Sequence, residues 1–432
     1  MKLDRPVLQV ALDLLNLHRA VQIAEEAVNG GVDWIEAGTP LIKSEGMAVV
    51  RKLKKTFPNH TVVADMKTMD VGAFEVEIAS KSGADVVIIM GVSDDSTIRE
   101  AVRAAQKYGS EIMVDLMSVK NKPKRAKQVE KFGAEYVCLH VSIDEQMVGG
   151  NPLKNVTEVS QGCDIPVAVA GGLNSETVSD AIKAGASIVI VGGAIVKAPK
   201  VTEATKQIKK AIEKKKKIKS ELYKKYGKDD LYSVFSKVSA PNIADAMHKK
   251  GAMVGIRPLK KDYKMVGRAL TVRTADGDWA KPVEAIDKAK KGEVIVINAG
   301  AGHIAVWGEL ATWSCRMKGI AGVVIDGAVR DTDDIKKINF PIFSRNIAPN
   351  AGEPKGFGEI GAEITCGGIC VKTGDWIVGD DSGVMVIPKE RAMEIANRAI
   401  DVHERENRIR EEIQRGSTLS KVLKLKKWEK ID

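Results

Sequence analysis

The 432-residue sequence predicts an α/β protein: a (β/α)8 (TIM) barrel over residues 1–212, then a mixed α/β/β domain over 231–392. Three observations carry that expectation. Short continuous apolar runs alternate with amphipathic stretches eight times in the first half, as in a parallel sheet buried on both faces. The repeats fit into about 200 residues, enough for a compact barrel. Beyond residue 231 the rhythm changes to short strands, Gly-rich turns and fewer helices.

The barrel strands are expected at 8–12, 34–37, 61–64, 86–90, 111–116, 136–141, 166–170 and 188–191. Between them lie helices such as 17–29, 97–108 and 175–184, with amphipathic patterning. A helix ending near 212 runs into a Lys-rich stretch, 213–230, expected to be a linker helix. From Lys206 to Lys228, eleven Lys stand against two Glu, so +9 of the chain's net +10 is concentrated there. The globular parts are thus close to neutral. The stretch reads as a solvated linker or as a contact for RNA or an acidic partner. In the second domain, strands are expected at 267–274, 293–298, 322–326, 341–344, 376–379 and 384–388, the last two forming a tight hairpin. A charged helix at about 389–414 follows, within a C-terminal segment 393–432. Its alternating charge points to an exposed or oligomer-facing element.

Composition narrows the function. The hydrophobic content of 44% supports proper cores, and the aromatic content of 4% argues against base-stacking nucleic-acid platforms. No apolar run approaches the ~20 residues of a membrane span. Asp4 and Asp13 interrupt the first apolar run, unlike a signal peptide. None of the five cysteines forms a CxxC pair, so they read as reduced, mostly buried thiols of a cytoplasmic protein.

Polar groups gather where the predicted barrel strands end. The first ends in Asp13, the second in Glu36, the third in Asp65 and Lys67; the fifth carries Asp115 and the sixth ends in His140. In an extended strand end Asp65 and Lys67 share a side. Such charges cannot stay unpaired in a barrel centre, but at the C-terminal rim they can meet a ligand. Gly171-Gly172 and Gly192-Gly193 follow the last two strands and suit a phosphate site, helped by helices starting near Ser175 and Ala194. Glu36 and Asp65 are the best metal ligands, and oxygen donors favour Mg2+ or Mn2+ over Zn2+. A metal there could hold the oxygens of a 1,2-enediolate, with Lys67 adding positive charge and His140 carrying the proton.

The motifs Ala11-Leu12-Asp13, Ile35-Glu36-Ala37-Gly38-Thr39-Pro40, Asp65-Met66-Lys67-Thr68-Met69-Asp70 and Ala170-Gly171-Gly172 resemble the orotidine-monophosphate decarboxylase superfamily. Within it they look most like the 3-hexulose-6-phosphate synthases, over about residues 3–212. Orotidine decarboxylases have a Lys where Glu36 stands. Keto-gulonate-phosphate decarboxylases have Arg where this chain has Ile143 and Gly193. The resemblance therefore implies a metal-dependent aldolase joining ribulose 5-phosphate and formaldehyde reversibly, with sugar-phosphate decarboxylation as the rival. It also implies that Glu36 and Asp65 bind Mg2+, that Asp13 and Lys67 contact the sugar and enediolate, and that His140 moves the proton. Asp70 would reach a neighbouring subunit's site, which implies a homo-oligomer.

The second domain has its own cluster. A turn at Gly308, with Glu309, enters a helix at Leu310 and Ala311, offering backbone N–H groups to a carboxylate. Arg330 offers a bidentate fork and Asp331 an oxygen for a metal, unless Arg330 merely pairs with Asp326 or Asp334. Residues 232–392 resemble the RraA-like family, which includes 4-hydroxy-4-methyl-2-oxoglutarate aldolases and non-catalytic ribonuclease regulators, and which tends to trimers. By that resemblance Asp331 supports Mg2+, Arg330 polarises a pyruvyl carbonyl, and the backbone of 308–311 holds its carboxylate.

Overall fold

The computed structural model describes residues 3–220, 223–423 and 425. They fall into two compact units, within 1–225 plus 404–432 and within 226–403.

The first unit is a closed parallel barrel. Its strands are β1 (Val7–Leu12), β2 (Trp34–Ala37), β3 (Thr61–Thr68), β4 (Val86–Met90), β5 (Glu111–Asp115), β6 (Tyr136–His140), β7 (Val167–Ala170) and β8 (Ile188–Val191). They pair in chain order, and β8 closes on β1. Both strand faces are buried, which is why the strands are continuous Val/Ile/Leu runs. Along β1, Leu8, Val10 and Leu12 face the helical layer, while Val7 and Ala11 face the barrel axis. At the barrel floor Trp34 and Tyr136 meet edge to face, ring centroids 5.4 Å apart. Helix Leu17–Asn29 shows how the outer layer forms. Asn16 accepts the Arg19 N–H at its start, and Ala20, Val21, Ile23, Ala24 and Ala27 make its buried stripe.

Two expectations need correction here. β3 runs on to Thr68 rather than ending at 64, and its register slips between Asp65 and Thr68. Residues 213–230 are not a linker helix. Helix Val201–Lys214 stops at Lys215, which takes a left-handed conformation (φ 49°), and residues 216–220 are non-helical. Four consecutive lysines, 214–217, would repel one another along a helix. The barrel offers other partners. Ile218 N–H donates to the Ser175 carbonyl (3.0 Å), and Ser175 Oγ donates to the Ile218 carbonyl (2.7 Å). Lys217 pairs with Asp180 (2.8 Å) and Lys224 with Glu176 (3.2 Å). Tyr223 is buried. The stretch is therefore strapped to the barrel.

The second unit is a mixed sheet. Met265–Arg273, Glu293–Asn298, Gly322–Val329 and Ile342–Ile347 run parallel. The hairpin Trp376–Asp380/Gly383–Ile387 pairs antiparallel on one edge and Arg257–Pro258 on the other. The short strands Ala305–Trp307, Glu359–Ile360, Ile364–Cys366 and Ile369–Val371 escaped the sequence pattern.

The charged helix is Ala392–Gln414. It is not simply exposed: Ala392, Ile395, Ala396, Ala399 and Ile400 are buried in the second unit, an apolar stripe at helical spacing. From residue 404 the chain belongs to the first unit, where buried Arg408 donates to the Ala198 carbonyl (2.9 Å) and Arg19 pairs with Glu412 (3.0 Å). Cys138, Cys315 and Cys366 are buried, Cys163 is partly so and Cys370 is exposed. Among the described residues no helix is long and apolar enough to cross a membrane.

Candidate active site

Strand alternation builds the site. The residues facing the axis run Val7, Gln9, Ala11 on β1, Trp34 on β2, Val63 on β3, Met113 on β5, and Tyr136, Cys138 on β6. One more step of two along each strand reaches the C-terminal rim at Asp13, Glu36, Asp65, Asp115 and His140. All five line one cavity of about 520 Å³, together with Lys67, Gly171, Gly172, Gly192 and Gly193.

The charges form a chain across this cavity. Lys67 Nζ lies 3.0 Å from Asp65 Oδ2 and 3.5 Å from Asp115 Oδ2. Asp115 Oδ2 is 2.7 Å from His140 Nδ1, and Asp115 Oδ1 accepts the Met117 N–H at 2.8 Å. Thr39 Oγ1 donates to Asp65 Oδ2 (2.7 Å), and Gln9 Nε2 donates to Glu36 Oε2 (2.6 Å). Asp13 sits between two glycines. A Cβ at Gly38 would overlap its Oδ1, and one at Gly192 would lie 3.5 Å from its Oδ2.

The electrostatics follow from burial and crowding. Burial, then the charges of Asp65 and Asp13, pushes Glu36 well above the usual carboxylate range. Asp13 opens onto the cavity, yet the protein around it, followed by Asp65, raises its carboxyl too. Burial opposes the charge on Lys67, but Asp65 and Asp115 outweigh it and hold the ammonium protonated. Burial would raise Asp115, but the His140 hydrogen bond and the nearby positive charges hold it below its ordinary value.

Asp70 stands apart from these residues. It is exposed, does not line the cavity, and its carboxylate accepts the Val71 N–H at 2.7 Å. Asp115, read from the sequence only as a charge at the rim, lies against His140 and Lys67, and no role was read for Gln9, Gln146 or Tyr223. Following the alternation of β1 inward from Asp13 reaches Gln9. Gln146 packs against Gly171 and Gly172, and its buried Oε1 has no hydrogen-bond partner. Tyr223 also lines the cavity.

In the second unit the expected cluster is assembled. Glu309 N–H donates to Asp331 Oδ2 (3.1 Å), and Arg330 Nε is 3.5 Å from the same oxygen. A Cβ at Gly308 would lie 3.4 Å from Arg330 Nε. The carboxylate at the start of helix Glu309–Lys318 is therefore Asp331's own. Leu310 is exposed and Ala311 partly buried. Asp326 pairs with Arg345 and Asp334 with Lys337, so Arg330 has neither of the partners that the simpler pairing required.

A parallel barrel with titratable groups gathered at its C-terminal rim has the layout of a barrel active site. Comparison with known proteins specifies the family. The model of the orotidine 5'-phosphate decarboxylase / HUMPS family matches residues 6–208, and that of the RraA-like Aldolase/RraA family matches 240–386. The 3-hexulose-6-phosphate synthase of Mycobacterium gastri is 42% identical over 205 residues, which cover 48% of this chain and 99% of that protein. The synthase of Bacillus subtilis is 37% identical over 206 residues, covering 48% and 98%. A solved 3-hexulose-6-phosphate synthase from Salmonella typhimurium is 35% identical, covers 48% of this chain and 99% of its own, and has a TM-score of 0.47. The chain belongs to the orotidine 5'-phosphate decarboxylase / HUMPS family through its barrel, and carries an RraA-like domain behind it. The barrel is an enzyme of the lyase class.

Proposed function

We propose that the barrel condenses ribulose 5-phosphate with formaldehyde, reversibly, to give 3-hexulose 6-phosphate. The observation that carries this reading is the position of Lys67, between Asp65 and the Asp115–His140 pair in one cavity. Asp115 engages His140 Nδ1, which leaves Nε2 to exchange protons with a substrate. In the condensing direction Nε2 takes a proton from C1 of the ketose. The electron pair left at C1 adds to the formaldehyde carbon, and the new alkoxide takes up a proton. Lys67 offsets the negative charge that grows on the C2 oxygen. The glycine turns at 171–172 and 192–193 let backbone approach the phosphate closely.

A divalent cation fits this cavity. Asp13, Glu36 and Asp65 gather near Lys67, and burial, followed by the charge of Asp65, holds the Asp13 and Glu36 carboxyls above their ordinary range. Among the described residues no group of three His, Cys, Asp or Glu side chains is arranged to hold a metal. Glu36 and Asp65 would hold it, with water or substrate oxygens completing its shell, as Mg2+ and Mn2+ accept. When bound, the ion would supply divalent positive charge to neighbouring sugar oxygens. The decarboxylase rival is disfavoured because Ile143, which lines the cavity, and Gly193, beside which the Tyr223 ring fills the space, stand where those enzymes would carry Arg.

The purified chain is expected to consume formaldehyde only with ribulose 5-phosphate and Mg2+ or Mn2+. EDTA should stop it, and Asp65→Asn should lose about a hundredfold or more. Full turnover in EDTA would sink the metal's part. No reaction in either direction would sink the whole reading. For residues 226–403 we propose an aldolase site for 2-oxo acids, supported by the half-exposed Arg330 beside the 308–309 backbone. Pyruvate release from a 4-hydroxy-2-oxo diacid should vanish in Arg330→Met. If no such substrate releases pyruvate, a non-catalytic binding role stands instead.

A further inference from the structure

The segment that strays most from its sequence expectation also reaches the substrate cavity. Tyr223 belongs to the strap that leaves the barrel, yet it is buried and lines the cavity beside Gly193. A Cβ at Gly193 would overlap the Tyr223 ring. Two ammonium groups lie over the ring, Lys197 Nζ 5.1 Å and Lys225 Nζ 4.6 Å from its centroid. Lys197 also lines the cavity. The backbone of Tyr223 is pinned on both sides: its N–H donates to Glu404 Oε1 (2.8 Å) and its carbonyl accepts from Asn174 Nδ2 (3.4 Å). Tyr223 holds φ at 55°, a conformation costly for a bulky residue, which persists only where the surroundings impose it.

These facts belong together. The position that would bear a cationic side chain in the decarboxylase rival is a glycine, and an aromatic ring from a remote stretch of chain fills its space. That ring carries cations with it. Lys197 comes from the barrel and lines the cavity, and Lys225 comes from the strap and meets the same ring, so positive charge gathers around the ring beside Gly193. A phosphate monoester dianion is the ligand whose charge and size suit that place.

We propose that Tyr223 is a substrate-binding residue of the barrel: it closes the phosphate end over Gly193 and holds Lys197 and Lys225 for the phosphate of the bound sugar. The strap is then part of the site, and the Lys-rich composition serves phosphate recognition as well as attachment to the barrel. The proposal deepens the aldol reading and rests on it for the identity of the sugar.

The test uses the full chain, with inorganic phosphate binding by calorimetry and the KM for ribulose 5-phosphate as separate readouts. Tyr223→Ala should weaken both by about tenfold, the factor carried by two ordinary cation–π contacts. The loss is expected in KM rather than kcat. Unphosphorylated ribulose should show no such dependence on Tyr223. Because Tyr223→Ala could loosen the strap, Gly193→Ala is measured in both backgrounds. Its Cβ should weaken phosphate binding most in the parent, where it meets the ring as well as the approaching phosphate, and clearly less once the ring is gone. Additive losses overturn the proposal, as does unchanged phosphate affinity in Tyr223→Ala or a parent chain that binds no phosphate. A chain that binds phosphate through Tyr223 but consumes no formaldehyde supports the proposal and defeats the aldol reading.

Discussion

Replacing Asp115 with Asn tests the proton-transfer arrangement most directly. The side chain is buried, and its two oxygens do different work. Oδ1 accepts the Met117 N–H at 2.8 Å, while Oδ2 faces His140 Nδ1 at 2.7 Å and Lys67 Nζ at 3.5 Å. An Asn that keeps the Met117 bond through its carbonyl turns an NH2 toward His140. The imidazole must then accept at Nδ1 and carry its proton on Nε2, so Nε2 can no longer take the C1 proton. Lys67 loses one of its two carboxylates at the same time. General-base transfer and correct tautomer together are worth about a hundred- to ten-thousand-fold, or about 3–5 kcal/mol of barrel-site transition-state stabilisation. The assay is exchange of the C1 proton of ribulose 5-phosphate in D2O, followed by NMR without formaldehyde, which isolates proton transfer from carbon–carbon bond formation. Exchange in Asp115→Asn within threefold of the parent would refute the assigned roles of both Asp115 and His140.

Three further outcomes follow from the same geometry. Asp115 titrates below the ordinary carboxylate range, so its stabilising contribution is present above about pH 4 and lost as pH falls through its lower folded value; the stability lost in Asp115→Asn, read by urea unfolding with circular dichroism at each pH, should be full above about pH 4 and shrink through that low window. Glu36 and Asp13 have the opposite sign: their folded values are raised, so ionising them costs stability as pH rises from the ordinary carboxylate range through those values. Mg2+ should therefore raise Tm more at pH 8 than at pH 5, and equal shifts would count against a metal at Glu36. Arg408→Ala removes the donors to the Ala198 and Pro199 carbonyls and should destabilise the first unit by about 1–3 kcal/mol in urea unfolding.

The barrel was legible because its signal is periodic. Continuous apolar runs at regular spacing leave few other folds, and strand alternation then sends Asp13, Glu36, Asp115 and His140 to one rim. The glycine turns after the last two strands were legible too, and Gly171, Gly172, Gly192 and Gly193 all line the cavity. What escaped depends on contacts distant in sequence. Tyr223 sits in a Lys-rich run whose local composition reads as a solvated linker helix. Its burial is decided by Ser175, Glu176 and Gly193, which lie thirty or more residues away in the chain. Asp70 is the reverse case: its motif is plain in the sequence, but among the described residues its carboxylate accepts only the adjacent Val71 N–H.

The position of Lys67 shows how a spacing can be read correctly for the wrong physical reason. A regular strand would place Lys67 on the same face as Asp65 but about 6.6 Å further along the strand. The structure does something else. Asp65 pairs with Ile88 of β4 and Thr68 with Ile89, so β3 takes three residues to advance where β4 takes one. Lys67 absorbs the excess with a left-handed backbone at φ 49°. This bulge shortens the rise and turns the long side chain back, which lets its ammonium reach Asp65 and Asp115 together instead of pointing out of the mouth. The Asp-x-Lys spacing is thus productive only with the bulge, and a flat strand with the same three residues would separate the proton-carrying end of the site from the carboxylates suited to a metal.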